Sequence, residues 1–431
     1  MKTIATRAVS VLLLAGLILV GLGVYIRRYV EHGAAWATAY SRLNSRSGGE
    51  LLDRNGRVLA AFDANSNRYA ADSATRVANY HVTGDFYGRT GTGLLSGFWS
   101  RMQGFSLLTG TTRAQSGTLN LTVDADLNRV AYEAFYGRRG AALLVNYRTG
   151  ELLAMTSSPA VDPADPDAIP GDGAYINRCL SSSFVPGSTF KLITAAAAIE
   201  TVPNIFERTF YCEKEGSIAG VPIICVGAHY TENFEQALAN SCNIAFAQIA
   251  VSVGQNTLAR YVKDYGFLDP HRLNGIPTAA GNFPTEFVGD PELGWAGVGQ
   301  STDLVCPFSM LRFVAAVGNG GVLVEPTLLL GDNPVRERLM NPDTAEILGG
   351  MMNYNVVAHY GQENFPGLKL CAKTGTGERG DGTSNGWFVG FLADEDHPYA
   401  FVVMVEDAQF GITDAAPIAT AVLTAAVQKY H

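Results

Sequence analysis

Ser188 and Lys191 stand three residues apart and are the first pair in this sequence able to make a nucleophile. On a helix, positions i and i+3 share a face, so the hydroxyl and the amine meet. A serine hydroxyl attacks poorly until a base takes its proton. A neutral lysine is such a base, but its ordinary pKa is about 10.4. Burial and a neighbouring cation both lower that value, and Lys373 is the candidate cation. Ser188 also falls in the first turn of its helix, where the dipole favours developing negative charge. Further along come Ser241 and Asn243. The amide of Asn243 offers a donor and an acceptor, to a lysine and to a substrate amide. Ser241 is suited to relay a proton between the lysines and a leaving amine. Lys373-Thr374-Gly375-Thr376 adds a cation and hydroxyls, and Gly375 lets a carboxylated peptide approach the backbone closely.

Chance is a poor account of this set. With seven lysines in the chain, about 0.4 random S-x-x-K matches and about 0.06 random K-T-G matches are expected, or about 0.03 jointly. The bland readings are a helix N-cap for Ser188 and a solvated helix face for Lys191. Other catalytic sets lack support. There is no H-E-x-x-H and no C-x-x-C, so no metal site and no cofactor are expected. Pro186 occupies the first glycine position of a G-x-S-x-G elbow. The seven histidines are scattered, and His229, between Cys225 and Ser241, is the one that would line a cleft.

The elements that must position these groups follow from length and pattern. The 431 residues, 47% hydrophobic and 16% charged, support a large core and exclude a mainly disordered chain. A net charge of −9 argues against nucleic acid held by a basic face. Ala141–Val145 and Glu151–Met155 read as two strands around the turn Arg148-Thr149-Gly150. Helices are expected over Asp124–Tyr136, Phe184–Glu200, Thr231–Val253 in two pieces, Val298–Asn319 and Ala415–Lys429. Leu368–Thr374, Trp387–Leu392 and Tyr399–Glu406 read as strands. Distant strands with helices between and after them imply one sheet covered by helices. Upstream, the Asn55-Gly56 turn between apolar patches predicts a hairpin. Residues 80–118 read as loops with short helices.

Ala8–Ile26 is an apolar run of 19 residues broken only by Ser10, with Lys2 and Arg7 before it and Arg27 and Arg28 after. That length just spans a hydrocarbon core of roughly 30 Å. A cleaved signal has an apolar region of about 7–15 residues with its small-residue site close behind. Here a mimic of such a site, Ala35-Trp36-Ala37, lies nine residues beyond the run, after the two arginines and Glu31. The expectation is an uncleaved anchor over 1–30, a stalk and small domain over 31–139, and a catalytic domain over 140–431. The N-terminus is expected on the cytoplasmic side and the rest outside.

With these motifs in this order, the sequence resembles the class B penicillin-binding proteins, monofunctional peptidoglycan transpeptidases. The likeness runs from Gly48 onward. Gly49-Glu50-Leu51-Leu52-Asp53-Arg54-Asn55-Gly56 is similar to the family's pedestal motif, with Gly48 where arginine is usual. Phe184 to Lys191, Gly299-Gln300 with Pro307, and Trp387 to Phe391 resemble further family segments. The resemblance implies an α/β (α+β) penicillin-binding/serine β-lactamase-like fold, an antiparallel sheet covered by helices beside a small N-terminal pedestal. It implies Ser188 as acyl-enzyme nucleophile, Lys191 as base, Ser241 and Asn243 for relay and positioning, and Lys373, Thr374, Gly375 and Thr376 for the substrate carboxylate. The N–H groups of Ser188 and Thr376 would form the oxyanion hole. The substrates would be D-Ala-D-Ala stem peptides, with β-lactams acylating the same serine. The roughly 110 residues between anchor and catalytic domain are too few for a glycosyltransferase domain with its linker. A separate SEDS-family glycosyltransferase partner in the membrane is therefore implied.

Three readings compete: a β-lactamase, a D,D-carboxypeptidase, and a non-enzymatic β-lactam sensor or scaffold. Asn243 stands where class D β-lactamases carry valine, and Pro270 stands where a class A deacylating glutamate would lie. Intact Ser188, Lys191 and Lys373 argue against a scaffold. Among the six cysteines, Cys212 and Cys225 flank a glycine-containing loop and fit either a disulfide across a hairpin or two buried thiols. Cys242 reads as filling space below the cleft.

Overall fold

The computed structural model describes residues 2–44, 49–63, 66–98, 102, 105–106, 111–112, 117–165, 167, 169–284 and 286–430. Gly48 and part of the loop region 80–118 lie outside the described residues. At the centre is a five-stranded antiparallel sheet. Its strands run, edge to edge, Leu370–Glu378, Ser384–Leu392, Tyr399–Val405, Gly140–Asn146 and Leu152–Ser158. The three C-terminal strands thus join the hairpin from the start of the domain.

Side chains on these strands alternate between two apolar layers, as a period of two requires. Ala141, Leu143, Val145, Val389 and Phe391 enter one core, with Ile193 and Ala245 from helices Lys191–Thr201 and Asn243–Val253. Helix Pro307–Gly318 also belongs to this core through Leu311 and Val314. Ala142, Leu144, Phe388, Phe401 and Val403 enter the other, with Val422 from the last helix, Ala416–Lys429, and Leu127 from helix Ala125–Ala134. Both faces being covered, the hairpin strands read as continuous apolar runs and not as alternating ones.

Boundaries differ from the sequence reading at four places, each for a local reason. Thr231–Asn233 finish a strand, Val221–Asn233, paired with Thr209–Ile218; the helix starts at Phe234, where Asn233 and Gln236 make a reciprocal capping box. Val298 closes one helix, Asp290–Val298, and of the expected helix Val298–Asn319 only Pro307–Gly318 is helical. The first is stopped at Gly299, whose φ of 89° is left-handed. Before Lys191 the chain makes a 3₁₀ turn, Gly187–Phe190. The N-terminal helix runs from Lys2 to Asn44, through the expected stalk. Within it, Arg7–Val30, with mean hydropathy 2.6, is the one helix among the described residues long and apolar enough to cross a membrane.

The small N-terminal sheet has the order Asn67–Tyr69, Val58–Phe62, Gly49–Leu52, Gly117–Asn120. Its hairpin turn is set by Asp53, whose Oδ1 accepts from the backbone N–H groups of Asn55 (2.9 Å) and Arg57 (2.8 Å). That turn is clasped to the main body. Asn55 Nδ2 donates to Asp124 (3.1 Å), the N-cap of helix Ala125–Ala134. Asp124 is also reached by Lys429 (2.7 Å) and Tyr430 from the C-terminal helix region. Arg57 pairs with Asp126 at 2.7 Å and holds that carboxyl down to about 2.

All six cysteines are free thiols. Of the two readings of Cys212 and Cys225, the structure has the buried thiols: both are buried and unbridged.

One close contact in the sheet gives a direct stability test. A Cβ on Gly390 would stand 2.1 Å from Cys371 O and 2.9 Å from Ala372 Cα on the neighbouring strand. Since backbone is what it meets, Gly390→Ala should destabilise by about 1–3 kcal/mol. Thermal denaturation should show a Tm drop of several degrees, and an unchanged Tm would contradict this packing.

Candidate active site

The site sits at the free edge of the main sheet, where strand Leu370–Glu378 faces the 3₁₀ turn carrying Ser188. Missing side chains make the approach possible. A Cβ on Gly375 would meet Pro186 O at 2.6 Å, and one on Gly377 would meet Val185 O at 2.1 Å. From the other side, Trp387 Nε1 donates to Val185 O at 2.9 Å. Behind the turn, Gly187 N donates to Gly299 O at 3.0 Å.

Lys191 is completely buried, and four oxygens surround its amine. Ser241 O lies at 2.5 Å, Asn243 Oδ1 at 2.8 Å, Ser188 Oγ at 3.1 Å and Ser241 Oγ at 3.2 Å. The first two are acceptors only. They take the two hydrogens of a neutral amine and leave its lone pair for a hydroxyl proton. Asn243 is held in this orientation because its Nδ2 donates to Ile224 O at 2.9 Å. Ser241 presents both its carbonyl and its hydroxyl to Lys191, and its φ is +56°, a left-handed conformation uncommon for a residue with a side chain. Burial lowers the Lys191 pKa to about 8, against weaker opposition from Cys225, Cys242 and Glu232.

Lys373 is equally buried, and its amine donates to Ser241 Oγ at 3.0 Å and Thr374 O at 3.1 Å. One hydroxyl thus bridges the two lysines. Burial first, and then the proximity of Lys191, push the Lys373 pKa well below the usual lysine value. No carboxylate pairs with either lysine among the described residues. The crevice is therefore short of one negative charge.

The strand edge is served by three residues that the motifs do not contain. Asn355 Nδ2 donates to Ala372 O (2.9 Å), and Gln300 Nε2 donates to Thr376 O (3.1 Å). Tyr360 OH accepts from Thr374 N (3.0 Å) and lies 3.1 Å from Thr374 Oγ1. In an antiparallel strand the N–H and C=O of one residue point the same way, and alternate residues repeat that direction. The N–H of Thr376 therefore points off the free edge, as that of Thr374 does. Beside it opens a cleft of about 820 Å³, lined in part by Ile224, Val226, Asn243, Trp295, Gln300 and Glu378.

All five expected catalytic side chains, Ser188, Lys191, Ser241, Asn243 and Lys373, thus share one crevice, with Thr374, Gly375 and Thr376 along its edge. Tyr360 and Asn355 went unread in the sequence because only the tertiary fold brings the segment after helix Pro342–Asn355 alongside the strand edge.

Residues 140–424 match the family described as Penicillin binding protein transpeptidase domain. The chain belongs to this family. This class B penicillin-binding protein is 30% identical to Stage V sporulation protein D of Bacillus subtilis over 70% of its own length, and spans 52% of that relative. It is 27% identical to the peptidoglycan D,D-transpeptidase PbpA of Mycolicibacterium smegmatis, over 90% of each chain. Among solved structures, penicillin-binding protein A from M. tuberculosis superposes with a TM-score of 0.76 at 24% identity, covering 89% of this chain and all of that one. The penicillin G acyl-enzyme complex of that protein gives 0.73 at 23% identity, with 89% and 100% covered. These likenesses establish the antiparallel, helix-covered fold.

Two outcomes follow for this penicillin-binding protein. With the neutral form of Lys191 as the expected base, acylation by a fluorescent penicillin should rise with pH through about 8 and level off above it. A rate independent of pH across that range would contradict the assignment. Tyr360→Phe leaves the partly buried N–H of Thr374 without its acceptor, at a cost of about 1–3 kcal/mol. Stopped-flow labelling should then slow by about tenfold while the fold persists; an unchanged rate would remove Tyr360 from the machinery.

Proposed function

We propose that the chain is a membrane-anchored serine D,D-transpeptidase that cross-links peptidoglycan stem peptides through an acyl-enzyme on Ser188. The observation carrying this reading is the amine of Lys191, 3.1 Å from Ser188 Oγ and already saturated by two acceptors. The lone pair of Lys191 takes the hydroxyl proton as Ser188 Oγ attacks the carbonyl of the penultimate D-Ala. The negative charge that develops there is met by the N–H groups of Ser188 and Thr376, donors commonly worth about 10²–10³ in rate. The bond to the terminal D-Ala then breaks, and its nitrogen gains a proton along the Ser241 hydroxyl, which bridges the lysines at 3.2 and 3.0 Å. An amine of a second stem peptide attacks the ester and reverses these transfers.

The terminal carboxylate of the substrate supplies the negative charge the crevice lacks and favours the charged form of Lys373. Thr374 and Thr376 offer it hydroxyls, and the free strand edge pairs with the extended peptide. A β-lactam presents the same carboxylate and acyl group to the same serine. Helix segment Arg7–Val30 serves as the single membrane span. Its N-terminus lies in the cytoplasm, with the domains over 31–139 and 140–431 outside. Strand polymerisation belongs to a SEDS-family glycosyltransferase in the same membrane, and relatives named for sporulation and for peptidoglycan synthesis fit a role in cell shape or division.

The purified chain with a fluorescent penicillin tests this. A label that persists for many minutes and is lost in Ser188→Ala is the expected result. Rapid release with drug turnover would favour a β-lactamase, and no label on the wild type would favour a scaffold.

A further inference from the structure

Behind the Ser241–Asn243 segment, four soft donors meet. The Sγ atoms of Cys212, Cys225 and Cys242 and a ring nitrogen of His229 all lie within 4.8 Å of one another. We propose that these residues form a tetrahedral Cys3His site for a structural zinc ion, clipping the Thr209–Asn233 hairpin to the helix that carries Asn243.

The geometry matches the ion. Zinc bonds of about 2.3 Å to sulfur and about 2.0–2.1 Å to nitrogen require, in a tetrahedron, about 3.6 Å between a sulfur and a nitrogen ligand. Cys225 Sγ and His229 Nδ1 are 3.7 Å apart. Backbone donors face two of the sulfurs. Asn243 N donates to Cys225 Sγ at 3.3 Å and Ala245 N donates to Cys242 Sγ at 3.4 Å. Cys242 is moreover the N-cap of helix Asn243–Val253, where the dipole favours negative charge.

A second observation points to the same ion. Glu232 is 2% exposed, yet its Oε1 has no hydrogen-bond partner and lies 3.9 Å from His229 Nδ1. A buried carboxylate oxygen left bare is costly, and a cation among these ligands gives it a counter-charge. Its other oxygen is fixed by Asn240 Nδ2 at 3.0 Å. Three thiolates with one imidazole are a donor set suited to zinc and poorly suited to magnesium or calcium. On binding, each thiol passes its proton to solvent, so occupancy falls as pH falls. The sequence hides the site because its ligands are spaced 13, 4 and 13 residues apart, across a hairpin and a helix start.

The site sits one residue from the catalytic crevice on both sides. Cys242 lies between Ser241 and Asn243, and both of these touch Lys191. The ion thus holds the position of the base without touching substrate.

The test uses the full chain, purified in detergent without added metal or chelator, with metal measured by mass spectrometry. About one zinc per chain is expected. Cys212→Ser and His229→Gln should lose it, and Cys306→Ala, at a buried thiol elsewhere, should keep it. Loss of a ligand also threatens folding, so the wild type supplies a second measurement. After chelation under reducing conditions, added Co²⁺ should give the intense thiolate-to-cobalt absorption of a tetrahedral site, and penicillin labelling should fall on chelation and return with Zn²⁺. Glu232→Gln should weaken zinc affinity by about 10–100-fold. Metal-free isolated protein whose reduced thiols give no cobalt band would overturn the proposal. So would a native disulfide joining any two of the three cysteines.

Discussion

Everything in the catalytic crevice depends on keeping one amine out of water. Lys191 has no exposed surface, no carboxylate partner among the described residues and two carbonyl-type acceptors within 2.8 Å. A charged ammonium in that setting loses hydration without gaining an ion pair, so the neutral form is favoured. The surrounding architecture can be understood as the means of burying it. Helix Asn243–Val253 brings the Asn243 amide, the left-handed turn at Ser241 brings a carbonyl and a hydroxyl, and the sheet brings the second lysine. The stability sacrificed by desolvating two lysines is met by the two apolar layers on either side of the sheet.

The second constraint is backbone proximity. A catalytic serine that must lie beside an open strand edge requires that edge to carry almost no side-chain bulk toward it. Gly375 and Gly377 meet that need, and Gly187, with a φ of +53° and a would-be Cβ 2.2 Å from Thr376 O, meets it from the opposite side. The edge does not collapse onto other groups, because Asn355, Tyr360 and Gln300 hold it by single hydrogen bonds from outside. They secure its position and leave the N–H of Thr376 aimed into the cleft.

Much of this was legible in the residues themselves. The pairs Ser188/Lys191 and Ser241/Asn243 announce themselves by local spacing, and the strands Gly140–Asn146 and Leu152–Ser158 by unbroken apolar runs around Gly150. Contacts set by remote segments were not legible. Tyr360 reaches Thr374 across 14 residues only because a short turn follows helix Pro342–Asn355. Val298–Asn319 read as one helix, but its first residue closes Asp290–Val298 and helix resumes only at Pro307, because Gly299 takes a left-handed turn. The cysteines suggested a covalent bridge between two strands. Folding instead gathers three of them with His229, a convergence that no linear spacing rule describes.

The clasp at the base of the molecule has a mechanical meaning. Asn55 and Arg57 from the first hairpin, Asp124 and Asp126 from the helix start, and Lys429 and Tyr430 from the chain's end meet in one polar knot. Force arriving along strand Gly49–Leu52 passes through that knot to helix Ala416–Lys429, which lies flat against the sheet. A tug on the N-terminal hairpin is thus transmitted as a shear beneath the catalytic strands, and its stiffness is electrostatic, softening as ionic strength rises.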